Sequence, residues 1–421
     1  MSKIKSVKAR EILASGGAPS VEVTVTLESG SEGEASVSYG ASSGSREAAV
    51  ILDKNPKRYN GRGMMMVTDF VNKLIGPSMV GKEAGEQRLR DEEMIKMDGT
   101  EGKTKLGGNA ILGVSMAIAR AQAAEEKLPL YKYLQKCFGL EDNTRLPKPM
   151  IVMIEGGKHA DKTTDLQEFC VAAMGDKSAA ENVRMLMEIY EALKKILKSE
   201  GLSTNVGNEG AFAPNGLTSN EKPMEYLVEA IRLAGYVPGV DVGISLDAAA
   251  SEFYDLGSKT YDLRIEHKKL SSNELIEYYM NWIEKYPFVS WEDMLSEFDW
   301  ENWPVLLKRM GGRFPLIADD LTVTNTKIWQ EAIDKKAANA ILVKLNQAGS
   351  VSETIDCCLL AIKNKMWTVP SHRGGGETND TFMVDLAVAV GSEYIKAGPT
   401  RGERVCKYNR LMRIEEGMSI E

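Results

Sequence analysis

The chain reads as an α/β protein: a C-terminal (β/α)8 barrel of the TIM type with an N-terminal α+β capping domain. Three observations predict this. Six polar residues stand at the ends of successive apolar runs: Asp247 after VGISL, Glu292 after FVSW, Asp319 after FPLIA, Lys344 after AILV, His372 after WTVPS and Lys396 after SEYI. Their spacings are 45, 27, 25, 28 and 24 residues, and a barrel strand with its helix takes about 30. Ahead of them, strand-like segments come first and helical ones after, the order of an α+β domain.

The first elements form a β-meander. Residues 4–13, 21–28 and 34–39 alternate or favour β-branched types, with a turn from Gly30 to Gly33. Helical patterns follow at 64–75, 85–97 and from Asn109 to Glu126. The last is rich in Ala, Leu and Met and apolar on most sides, so it is expected to be buried. The composition shifts at GLEDNTRLPKP, residues 139–149, which reads as a linker. The expected domains are therefore 1–138 and 139–421. The long first gap in the barrel series is assigned to a hairpin insertion at 253–270.

Ordinary apolar and charged content and a net charge of −8 give no basic surface for nucleic acid. No apolar stretch is long enough to span a bilayer, and the N-terminus has no secretory h-region. The five cysteines are odd in number, lack a Cys-x-x-Cys pair and lie mostly in apolar runs. Reduced thiols and a cytoplasmic location are the expectation.

Barrels of this kind carry their chemistry at the C-terminal ends of the strands. The six polar residues thus read as three carboxylates followed by three basic groups around one mouth. Three carboxylates suit a hard divalent cation, and a lysine beside a metal is a plausible proton acceptor. A single such residue is as well explained as an ordinary strand cap; six at barrel spacing are not. Two glycine-bearing loops flank the mouth, Glu155 to Asp161 and Gly207 to Asn215. A third small-residue stretch, Tyr39 to Gly44, reads as a plain connection ahead of a mobile lid. His159 and His372 fall in candidate loops. Arg373 precedes Gly374-Gly375-Gly376, a combination suited to a phosphate or carboxylate, although a glycine run is by itself only a flexible turn.

At these residues the chain resembles the enolase family. The segments LGGNAILGVS, GNEGAFAPN, SLDAAASEFY, ADDLTVTN and KLNQAGS carry the resemblance, which runs from residue 7 to residue 416. It implies an enolase-like barrel beginning with two adjacent strands, and a Mg2+-dependent hydro-lyase that dehydrates 2-phosphoglycerate in glycolysis. Lys344 would be the base and Glu209 the acid. Asp247, Glu292 and Asp319 would hold Mg2+, and Lys396 would neutralise the substrate carboxylate. Arg373 would grip the phosphate, with His159, Gln167, Glu168 and His372 lining the pocket. A lysine base needs a lowered pKa, expected here from Mg2+ and Lys396. The resemblance also implies a homodimer or higher homo-oligomer, with Glu22 and Arg413 at positions that pair across the interface.

Departures from the family pattern gather at the pocket. Tyr39 stands where a serine helps bind a second Mg2+, which puts that site in doubt. The Tyr39 ring needs a place, one option being the mouth itself. Gly374 replaces a phosphate-contacting serine, Glu155 an asparagine and Asn208 an aspartate. Glu155 could add a charge near the phosphate, worth roughly 3 kcal/mol at about 6 Å with an effective dielectric near 20. Two alternatives follow. One is a paralogue performing the same elimination on a related phosphonate or phosphorylated hydroxy acid. The other is a non-catalytic binding protein that keeps the fold.

Overall fold

The computed structural model describes residues 2–40, 44, 46–142 and 145–419. Ala41, Ser42 and Ser43 of the small-residue stretch, and Asn143 and Thr144 of the linker, lie outside the described residues.

Strands β1 (Ile4–Leu13), β2 (Pro19–Leu27) and β3 (Glu32–Ser36) form the antiparallel meander. Val21, Val23, Val25 and Leu27 are fully buried at every second position of β2, as period-two alternation requires. They face the helix Gly108–Glu125. That helix approaches so closely that a Cβ on Gly33 would lie 2.2 Å from the Ala117 carbonyl oxygen. Most of the helix is buried, as its composition predicts.

The second sheet has eight strands: β4 (Lys148–Glu155), β5 (Glu168–Ala173), β6 (Val242–Asp247), then β10 (Phe288–Glu292), β11 (Leu316–Ala318), β12 (Ala340–Val343), β13 (Trp367–Pro370) and β14 (Tyr394–Ala397). Strands β7 (Tyr254–Asp255), β8 (Thr260–Leu263) and β9 (Lys268–Leu270) form a separate antiparallel sheet within the long gap. The expected hairpin insertion is thus three-stranded. Around the barrel the order is β13-β12-β11-β10-β6-β5-β4-β14. A parallel bridge between Ser371 and Lys396 brings the two ends together. Strand β5 runs antiparallel to both neighbours, and the other pairings are parallel. The fold is therefore an α/β barrel with an α+β cap.

Reversing β5 places its first residue at the mouth. Glu168 pairs with both Glu155 and Asp247, the last residues of their strands. Strand period fixes the other side chains. Met150, Val152, Cys170, Ile317, Leu342, Val369 and Tyr394 form one buried cluster, separate from the larger one that includes Ile151, Met153, Val171 and Ile341. Asp319, Lys344 and Lys396 lie two residues beyond Ile317, Leu342 and Tyr394 and so share their inward direction.

Cap and barrel are joined by polar contacts, one part-buried and one exposed. Arg120 on the long cap helix makes a two-armed ion pair with Asp380, at 2.6 and 2.8 Å. Asp380 also accepts from the backbone N–H groups of Ser36 and Phe382. Arg88 grips Asp356 through two bonds of 2.8 Å. Glu22 is held by Arg10 of the same chain at 2.5 Å, and Glu22 and Arg413 line a shared cleft of about 430 Å³.

Candidate active site

The mouth is a polar cavity lined by every candidate catalytic, substrate-binding and metal residue named above except Glu292, which is buried against Lys396; Tyr39, Glu155 and Asn208 do not line it. His159 ends the turn after β4, Gln167 directly precedes β5 and Glu168 opens it. Glu209 sits on the turn 207–211. His372 and Arg373 follow β13, and Lys396 lies within β14.

Two ion-pair groups organise the cavity. Lys396 Nζ lies 2.6 Å from Glu292 Oε2, 2.8 Å from Glu168 Oε2 and 3.3 Å from Asp247 Oδ2. Lys344 pairs with Asp319, which also accepts from Gln347 Nε2 at 2.8 Å. Gln347 is itself oriented by Thr324 at 2.7 Å. Asp293 accepts from the backbone N–H groups of Asp319 and Asp320 at 3.0 and 2.8 Å, fixing the backbone that presents Asp319.

Across the cavity, Glu209 stands between two imidazoles. Its Oε1 is 3.3 Å from His159 Nδ1, and its Oε2 is 3.3 Å from His372 Nε2. Burial alone would raise the Glu209 pKa; the His372 and His159 charges outweigh it and hold the carboxyl well below its usual range. Burial would likewise lower the His159 pKa, yet Glu209 and Glu168 push it up to about 9.

The carboxylates are crowded. Burial and the Asp247 charge drive Glu292 well above the usual carboxylate range, and burial lifts Asp247 to about 6. Glu292 Oε1 is buried without a hydrogen-bond partner. Ligand atoms of Asp293, Asp319 and Asp320 lie within 4.8 Å of one another, as do those of His159, Glu168 and Glu209. Hard oxygen donors in excess, one of them unpartnered, fit a divalent cation such as Mg2+.

Several expectations change here. From the protein's own groups the Lys344 pKa is raised: burial, the largest influence, pulls it down, and the Asp319 and Glu292 carboxylates together more than offset it; the lowering expected from Mg2+ is a separate contribution. The Tyr39 ring turns away from the mouth and lies over Gly376, where a Cβ would meet it at 2.3 Å. The Tyr39 N–H and C=O both pair with Gly376, at 3.0 and 2.8 Å, so its carbonyl is engaged. Glu155 does not face the phosphate end. It lies fully buried beneath the Glu209 turn. Gly374 packs against Glu209: a Cβ there would lie 2.6 Å from Glu209 Oε1 and 2.7 Å from His159 Nε2. A serine therefore has no room in this arrangement.

Sequence reasoning passed over Gln347, Asp293 and Glu47. Glu47 approaches Arg373 Nη2 at 3.1 Å and Gln347 Nε2 at 3.3 Å. Gln347 lies in the motif KLNQAGS, three residues after Lys344, and Asp293 directly follows Glu292. Their positions were visible, whereas their roles depend on loop geometry. Residues 4–134 match the family model for the enolase N-terminal domain and residues 143–421 that for the enolase C-terminal TIM barrel domain, so the chain belongs to the enolase family of lyases.

Proposed function

We propose that this lyase dehydrates 2-phosphoglycerate to phosphoenolpyruvate, with Lys344 as the base and Glu209 as the acid. The supporting observation is the arrangement of these two groups on one cavity, each beside its own electrostatic partner: Asp319 for Lys344, and the two imidazoles for Glu209. A proton next to a carboxylate is very weakly acidic, so its removal needs concentrated positive charge where the new charge develops. Lys396 lies on the side of the cavity where it can neutralise the substrate carboxylate, and Arg373 is suited to the phosphate. Asp247, Glu292 and Asp319 would hold Mg2+. Bound there, the ion would supply Lewis-acid stabilisation of the enolate-like charge. Offsetting the Asp319 charge removes what keeps the proton on Lys344. Glu209 would relay to the departing hydroxyl a proton drawn from His159, whose Nδ1 lies 3.3 Å from Glu209 Oε1, and His159, Gln167, Glu168 and His372 shape the pocket around it. The low proton affinity of Glu209 makes it a strong acid once loaded with its proton.

Isotope exchange tests the division of labour. Lys344→Ala is expected to abolish exchange of the substrate α-hydrogen with solvent. Glu209→Gln is expected to keep exchange while elimination falls by about 10²-fold or more. Loss of exchange only in the Glu209 variant would reverse the assignment.

One observation favours a second reading. Beside Arg373, Gly374 offers no hydroxyl, and the Glu209 and His159 side chains fill the space a side chain there would take. A related phosphonate or phosphorylated hydroxy acid, differing at the phosphoryl end, would undergo the same elimination. A kcat/KM higher for such an acid than for 2-phosphoglycerate would establish it.

A further inference from the structure

Glu155 is fully buried at the end of β4 and has no lysine or arginine among its hydrogen-bond partners. Both of its carboxyl oxygens lie 3.1 Å from the backbone N of Glu209, and Oε1 lies 2.8 Å from the backbone N of Ala211. The carboxyl group is pressed against the turn: a Cβ on Gly207 would lie 2.6 Å from its Cδ and Oε2. The turn is fixed on its other side as well. Tyr190 and Thr400 donate to the Gly210 carbonyl at 2.9 and 2.8 Å. Above it, Gly374 closes on the Glu209 carboxyl.

We propose that Glu155 is a positioning residue for the elimination half-reaction: its two acceptor oxygens seat the backbone of residues 209–211 and thereby set where the Glu209 carboxyl points. The proposal rests on the reading of Glu209 as the acid. Oε1 accepts from both N–H donors of the turn, and Oε2 adds a second contact to the Glu209 N–H that only a carboxyl supplies. An amide offers one acceptor oxygen and an NH2 group, which would face a backbone N–H donor to donor. A buried donor left without an acceptor displaces its surroundings, and a displacement near 1 Å can cost about 10²-fold in rate. The Glu155 carboxyl makes no hydrogen bond to Lys344 or Lys396, and Glu155 meets the Lys396 group only through its strand pairing with Glu168, so proton removal is spared.

The test uses Glu155→Gln in the full-length protein with Mg2+ and 2-phosphoglycerate. The expected result is a fall in kcat for elimination of about 10²-fold, with KM within about threefold. Solvent exchange of the α-hydrogen stays near the wild-type rate, so the exchange-to-elimination ratio rises. In a Glu209→Gln background the same change is expected to add nothing, because the two residues act through one group. Hydrogen–deuterium exchange of the peptide spanning 205–213 is expected to quicken in Glu155→Gln, and this readout is independent of substrate. An unchanged exchange-to-elimination ratio, or a full additional loss in the Glu209→Gln background, overturns the proposal. If the glutamine variant does not fold, Glu155→Asp keeps both oxygens on a shorter stem and is read by the same ratio. A wild-type chain that neither exchanges nor eliminates would refute the functional reading instead, while unquickened amide exchange at 205–213 would still overturn the seating role.

Discussion

Gly376 shows where one departure from the family pattern, Tyr39, is accommodated. Its Cα lies under the Tyr39 ring, and Ser15 Oγ donates to the neighbouring Gly375 carbonyl at 2.6 Å. Tyr39 and the glycine run therefore form one packed unit. Gly376→Ala is expected to destabilise the protein by about 1–3 kcal/mol through overpacking. Tyr39→Ser in the same molecule should restore most of that loss, because the clash is with the ring. Urea unfolding of the two single variants and the double variant checks this; additive losses would show that the contact is not what costs stability. At this scale the sequence was legible wherever strand geometry dictated direction. Asp247, Asp319, Lys344 and Lys396 could be placed because apolar runs set their inward side. The direction of Tyr39 could not be read, since it depends on a loop far along the chain. The carboxylates that raise the Lys344 pKa were equally illegible, because spacing carries no distance between Lys344 and Asp319.

Among the elements, the junction between the long cap helix and the start of helix Phe382–Ala389 carries a pH-dependent contact. Burial would raise the Asp380 pKa, but the Arg120 charge and the N–H donors of Ser36 and Phe382 hold it below the usual value. A depressed carboxyl pKa contributes stability that is complete above the unfolded value of about 3.9 and disappears as pH falls through the folded one. Asp380→Asn is therefore expected to destabilise at neutral pH, by about 3–5 kcal/mol if Arg120 is left unpaired. It should also flatten the acid limb of stability below pH ~4. Denaturant unfolding from pH 3 to 7 measures both, and an unchanged acid limb would assign that limb to other carboxyls. The direction of β5 marks where element-level reading ended. The segment between β4 and β5 holds only a short turn at Gly157–His159. A parallel crossover needs a dozen or more residues, usually with a helix. The lack of a crossover helix there disfavours parallel pairing once both strand ends are known, but spacing between polar residues alone does not reveal it. The resemblance implied two adjacent strands at the start of the barrel, without their direction.

For the whole molecule, the crowding of Glu292, Asp247 and Asp319 makes metal binding a stability term. A ligand that binds only the folded chain stabilises it by about 2.7 kcal/mol at one hundred times its dissociation constant. Added Mg2+ is expected to raise the unfolding temperature in scanning calorimetry, and Glu292→Gln should reduce that rise. An equal rise in the variant would place the ion elsewhere. The cleft shared by Glu22 and Arg413 is where we propose a second copy of the chain docks, so light scattering is expected to give a mass near twice that of the monomer. The most direct test of the central claim is steady-state turnover of 2-phosphoglycerate, with and without Mg2+, beside Lys344→Ala. The expected result is Mg2+-dependent turnover of at least ~1 s⁻¹, the low end for typical enzymes, that vanishes in the lysine variant. No turnover by a chain that still binds Mg2+ would contradict 2-phosphoglycerate as the substrate.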